Sequence, residues 1–188
     1  MWYNKCTCLI SAGGNICLSL SFTLHEAHLR LPSQIVLFSP FVDISMTNLG
    51  IAAVRPSDPM LNENSIRRES VGWLQGSSSP VTTTVDSLRH PRVSPLYGDL
   101  SIFREAGVRL VITTGRHDVL HPDIELSVKK AEAASVQTTY IKATHLWHYW
   151  IIFTGVIPEA EQGHDMVVTA ANKNSSVINR PVALTKSE

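Results

Sequence analysis

Ser11, Asp118 and His145 are the residues whose types and placement can support covalent chemistry. Ser11 opens the run Ser11-Ala12-Gly13-Gly14-Asn15 between a strand pattern and a helix pattern. A serine on such a tight turn can project its hydroxyl above a sheet edge. The helix N-terminus favours developing negative charge there, and the amide of Ala12 can donate to an oxyanion. Asp118 lies in Gly115-Arg116-His117-Asp118-Val119-Leu120, after a second strand pattern, and His145 in Thr144-His145-Leu146-Trp147-His148, after a third. Serine, acid and histidine following successive strands, in that order, are the parts of a serine nucleophile with its base and orienting acid. Plainer readings stand beside each: Ser11 as a helix cap, Asp118 as a turn cap, His145 as a structural histidine.

A metal site is the competing arrangement, because His117, Asp118, His121 and Asp123 crowd one segment and the two histidines have i, i+4 spacing. Pro122 places His121 at the entry to a helix, so the two imidazoles need not share a face, and no metal or other cofactor is expected. His25 and His28 read as exposed residues at the end of a helix. His90, His148 and His164 suggest no role.

The elements that must position these groups alternate between short apolar runs and longer helical patterns, which predicts an α/β fold with a mostly parallel sheet flanked by helices. Strands are expected at residues 5–10, 35–38, 108–113 and 138–141. Helices are expected at 12–29, 62–75, 122–135 and 158–171. Ile35-Val36-Leu37-Phe38 is apolar at every position, as in a strand buried on both faces. Residues 44–90 are looser, with Ser, Thr and Pro clustered at 77–84, and read as an excursion over the sheet edge rather than as core strand. Residues 172–188 read as a polar tail.

The chain has 188 residues, 44% of them apolar, and 16 basic residues balance 16 acidic ones. That balance gives no field to attract nucleic acid or an anionic membrane, and points to a small neutral partner. No apolar run is long enough to cross a bilayer. Cys6, Cys8 and Cys17 are an odd set without disulfide or zinc spacing, so they read as reduced thiols and the location as cytoplasmic. Residues 5–24 imitate a signal peptide, but Gly13, Gly14 and Asn15 interrupt the apolar run.

Five segments in order carry a family resemblance. Ser11-Ala12-Gly13-Gly14-Asn15 is similar to the nucleophile segment of the hormone-sensitive-lipase group of α/β-hydrolases, and Ser39-Pro40-Phe41-Val42-Asp43 to the strand end that follows it. Val93-Ser94-Pro95-Leu96-Tyr97-Gly98-Asp99-Leu100 is similar to the segment before the acid strand, and residues 115–120 to the acid loop. His145-Leu146-Trp147-His148 with Ile157-Pro158-Glu159-Ala160 resembles the histidine loop and last helix. The resemblance runs from residue 11 to about 171 and implies the C-terminal part of a lipase-like carboxylesterase domain. It implies Ser11 as nucleophile, His145 as general base and Asp118 as the acid that orients it, acting on a small-molecule ester through an acyl-enzyme without a cofactor. Trp147, Tyr149 and Trp150 can wall an apolar substrate pocket, or serve as core.

Leu9 stands where the G-x-S-x-G elbow has its first glycine, and Ile10 where an acidic residue is usual, so a clash of the leucine side chain or a shifted serine is expected. The family's first strands and its His-Gly-Gly-Gly oxyanion loop would precede Ser11, and residues 1–10 do not resemble it. Two expectations follow: slow turnover by the chain alone, and self-association through an exposed sheet edge. The alternative is a catalytically inactive hydrolase fragment or an interaction module.

Overall fold

Runs such as Ile35-Val36-Leu37 and Leu110-Val111-Ile112 make stable strands only with both faces covered, and the fold supplies that cover. The computed structural model describes residues 6–75, 85–172 and 182–184. Five strands form one parallel sheet in chain order: β1 (Cys6–Ile10), β2 (Gln34–Phe38), β3 (Arg109–Gly115), β4 (Thr138–Ala143) and β5 (Val182–Leu184). The crossovers carry α1 (Ala12–Glu26), the short α2 (Ile51–Val54), α3 (Glu63–Gln75), α4 (Val85–Leu88), α5 (Ser101–Glu105), α6 (His121–Ala133) and α7 (Pro158–Asn172). Successive side chains of a strand leave by opposite faces. Ile35, Leu37, Leu110, Ile112 and Tyr140 accordingly pack with Leu18 and Phe22 of α1 and Ile124 and Val128 of α6. Val36, Val111 and Ile141 pack with Trp150, Ala160 and Val167 on the α7 side.

The expected class is therefore the one observed: a parallel sheet flanked by helices, matching a partial α/β-hydrolase fold. Boundaries moved where the register decides them. β3 runs on to Gly115 because that residue pairs with Ala143 of β4, and α1 stops at Glu26, just before His28 takes a positive φ of 54°. Val182–Leu184 forms a strand beside β4, inside the segment expected to be a polar tail. Residues 77–84, the Ser, Thr and Pro cluster, lie outside the described residues. The described part of 44–90 contains helices and turns. Among the described residues no helix is long and apolar enough to cross a membrane.

Candidate active site

β1 ends at Ile10 and α1 begins at Ala12, so Ser11 alone must reverse the chain, and it does so at φ 48°, ψ −117°. A non-glycine residue held there costs about 1–3 kcal/mol, which the surroundings must over-determine. They do so by hydrogen bonds on both sides of the peptide. The Ser11 amide donates to the Phe38 carbonyl at 2.9 Å, and the Ser11 carbonyl accepts from Gly14 at 2.9 Å and from Phe41 at 3.0 Å. The Ser11 side chain makes no helix-capping bond, which leaves its hydroxyl for another partner. The clash expected of Leu9 does not arise. A Cβ built on Gly13 would stand 3.4 Å from Leu9 Cδ2, an ordinary contact, so the leucine lies against the bare glycine.

That other partner is His148. Its Nε2 lies 3.1 Å from Ser11 Oγ, and its Nδ1 lies 3.1 and 3.0 Å from the two carboxylate oxygens of Asp118. A carboxylate oxygen accepts, so Nδ1–H donates to Asp118 and the Nε2 lone pair faces the serine hydroxyl. Both His148 and Asp118 are fully buried, and Asp118 Oδ1 also accepts from the Leu120 amide at 2.9 Å. His145, the histidine expected between acid and serine, is exposed and sets its ring against that of His117, 6.2 Å between centroids at 85°. The correction has a local cause. Leu146 is buried, and its carbonyl accepts from the His117 amide at 2.9 Å, which pins the histidine loop to the acid loop just after His145. The two histidines stand three residues apart outside any regular period, so no sequence pattern says which of them turns inward.

Gly115 sets the distance between those loops. A Cβ there would lie 2.1 Å from the Leu146 carbonyl oxygen and 2.8 Å from that of Trp147, both backbone atoms. Gly115→Ala is therefore expected to destabilise the fold by at least about 1–3 kcal/mol, read by urea denaturation, and to separate His148 from Asp118. A variant as stable as the parent would show that the two backbones are not held in this contact.

A cavity of about 380 Å³ opens onto Ser11. Its walls include Ala12, Phe41 and Tyr149 from around the elbow and Ile44, Leu61 and Ile66 from the 44–90 segment. Of the three aromatic residues expected to line a pocket, Tyr149 does, with its ring 4.1 Å from that of His148. Trp150 is instead wholly buried in core against α7, where Gly163 admits it: a Cβ on Gly163 would stand 2.3 Å from the indole. Trp147 packs edge-on against Phe153, 6.2 Å between centroids, in the same core layer.

Polar side chains tie the segments around the site to one another. Asn15 Nδ2 donates to the carbonyls of Phe41 and Val93 at 2.8 and 2.9 Å. Buried Asp43 accepts from the Ser45 amide, the Ser94 hydroxyl and the Tyr97 hydroxyl. Asp58 of the 44–90 segment accepts from the amides of Met60 and Leu61 with one oxygen and from Val119, next to Asp118, with the other. Asn48 Nδ2 donates to Asp123 Oδ1 at 2.8 Å, whereas Asp123 Oδ2 is buried without a partner, and burial pushes this carboxyl up to about 7. Burial likewise lowers His121, whose Nδ1 has no partner. Among the described residues no three His, Cys, Asp or Glu side chains converge to hold a metal ion.

A sharp strand-turn-helix serine, met by a histidine and a buried acid from the next crossovers of a parallel sheet, defines the chain as a hydrolase-type α/β domain. Residues 10–152 match the family model described as alpha/beta hydrolase fold. The chain belongs to the α/β-hydrolase fold family. It is 27% identical over 152 residues to an esterase of Acinetobacter venetianus, covering 81% of this chain and 46% of that protein. It is 26% identical over 152 residues to an acetyl-hydrolase of Streptomyces hygroscopicus, with 81% and 46% covered. A crystal structure of EstE5 soaked with p-nitrophenyl butyrate superposes with a TM-score of 0.71 at 26% identity, over 88% of this chain and 53% of that one. The chain thus spans about half the length of the relatives it matches.

Proposed function

We propose that the chain carries the nucleophile, base and acid of a serine-dependent carboxylic ester hydrolase, with Ser11, His148 and Asp118 in those roles. The observation that carries the reading is the His148 imidazole lying between Asp118 at 3.0 Å and Ser11 Oγ at 3.1 Å. His148 Nε2 takes the hydroxyl proton as Oγ bonds to the ester carbonyl carbon. The ester C–O bond then breaks, and the same proton passes to the departing alcohol. Water, deprotonated by His148, cleaves the acyl-serine and restores the hydroxyl. Asp118 holds the tautomer that presents a lone pair to Ser11.

The amide of Ala12 is the first of α1 and has no intrahelical acceptor, so it is the donor placed to meet the oxyanion. The cavity's size and largely apolar walls suit a short-chain ester, in keeping with relatives named esterase and acetyl-hydrolase. A fluorophosphonate probe tests the reading, because it bonds only to an activated serine. Mass spectrometry of the 188-residue chain is expected to find the adduct on the peptide containing Ser11. An adduct elsewhere, or none on the chain or on a version extended with a relative's N-terminal part, would sink it.

A further inference from the structure

The cavity beside Ser11 has one charged group in its wall. Ile66, Glu69 and Ser70 follow one another at spacings of three and one along α3 and bring a single face of that helix to the cavity. Glu69, exposed on α3, is the only carboxylate among the lining residues, which also include Leu61, Ile44, Phe41 and Tyr149. Of the two arginines that precede it, Arg67 bonds Glu63 and the carbonyls of Ser45 and Met46, and Arg68 is exposed. Among the described residues Glu69 makes no ion pair.

An apolar pocket with aromatic faces and one carboxylate is the surround that a small ammonium group needs. The rings attract its spread positive charge, the aliphatic side chains cover its methyl or methylene groups, and the carboxylate supplies the counter-charge. The same wall repels a carboxylate on a substrate. We propose that, within the ester-hydrolase reading on which this rests, the pocket selects esters bearing a small ammonium group, with Glu69 as its counter-charge and the rings of Tyr149 and Phe41 beside it.

Choline and its neutral carbon isostere 3,3-dimethylbutanol test this on the whole chain. Each is titrated by NMR into the parent and into Glu69→Gln, an exposed substitution outside the catalytic groups. Choline is expected to bind about three- to tenfold more tightly than the isostere, and Glu69→Gln to erase that difference while leaving affinity for the neutral alcohol unchanged. Equal binding of the two alcohols, binding of neither, or a preference that survives Glu69→Gln would overturn the proposal. The acetate esters of both alcohols provide the second measurement, with the preference expected in KM rather than kcat. Hydrolysis of both at equal kcat/KM, unaffected by Glu69→Gln, would overturn the charge selection and leave the hydrolase reading standing. A choline preference in binding with neither ester turned over would do the reverse.

Discussion

Replacing His148 by alanine is expected to lower the rate at which Ser11 reacts with an activated acetate ester or a fluorophosphonate by about 10⁴-fold or more. The imidazole is the only base within reach of the hydroxyl among the described residues, and a serine without one is a poor nucleophile at neutral pH. His145→Ala, three residues away, is the informative control. Its ring is exposed and touches His117 rather than Ser11, so the change should leave the rate within about twofold. Rates measured by stopped reaction and mass spectrometry separate the two variants. The opposite ranking would restore His145 as the base and require the histidine loop to turn over in solution.

The second large effect concerns stability and pH. Asp123 is 2% exposed with one oxygen unpaired, and its carboxyl is raised from the ordinary 3.8 to about 7 by burial. Between those two values the unfolded chain has released this proton and the folded chain retains it. The contribution of Asp123 to stability must therefore fall as pH rises from about 4 to about 7 and level off above, the direction opposite to that of a salt-bridged aspartate. The gap corresponds to about 4 kcal/mol, a large share of the roughly 5–15 kcal/mol that holds a domain together. Asp123→Asn keeps an acceptor for Asn48 and cannot ionise. Urea denaturation should find the variant more stable than the parent at pH 7.5 by up to about 4 kcal/mol and the gap closed near pH 4.5. The difference between the two proteins removes other titrating groups, His121 among them. Curves that stay parallel across this range would mean that Asp123 is hydrated in the folded protein.

What could be read in the sequence follows from what one dimension records. Ile35-Val36-Leu37 announces a strand covered on both faces, and Gly115 after Val111-Ile112 marks where the acid loop must start, so the sheet and Asp118 were both legible. The pairing of Ser11 with a histidine was legible as chemistry, but the choice between His145 and His148 depends on the buried Leu146 and its tie to His117, a contact between segments 29 residues apart. Trp150 failed for a similar reason. An indole in an aromatic run looks the same whether a pocket or Gly163 of α7 receives it. Asp43, Ser94 and Tyr97 were visible as motif letters, yet their shared hydrogen bonds span separations of 51 and 54 residues. The tie between Asn48 and Asp123, 75 residues apart, carried no signal at all.

The bond between Ser11 and His148 closes a loop of 137 residues, and three strand crossings lie inside it. Closing so long a loop costs chain entropy that no local contact returns, which places the event late on any folding route. Helix content can be complete while the hydroxyl still faces only water. If Ser11 has the role proposed for it, a newly made chain is in that sense chemically silent: its serine gains reactivity only after the crossover bearing His148 has docked, so reactivity counts finished molecules rather than collapsed ones.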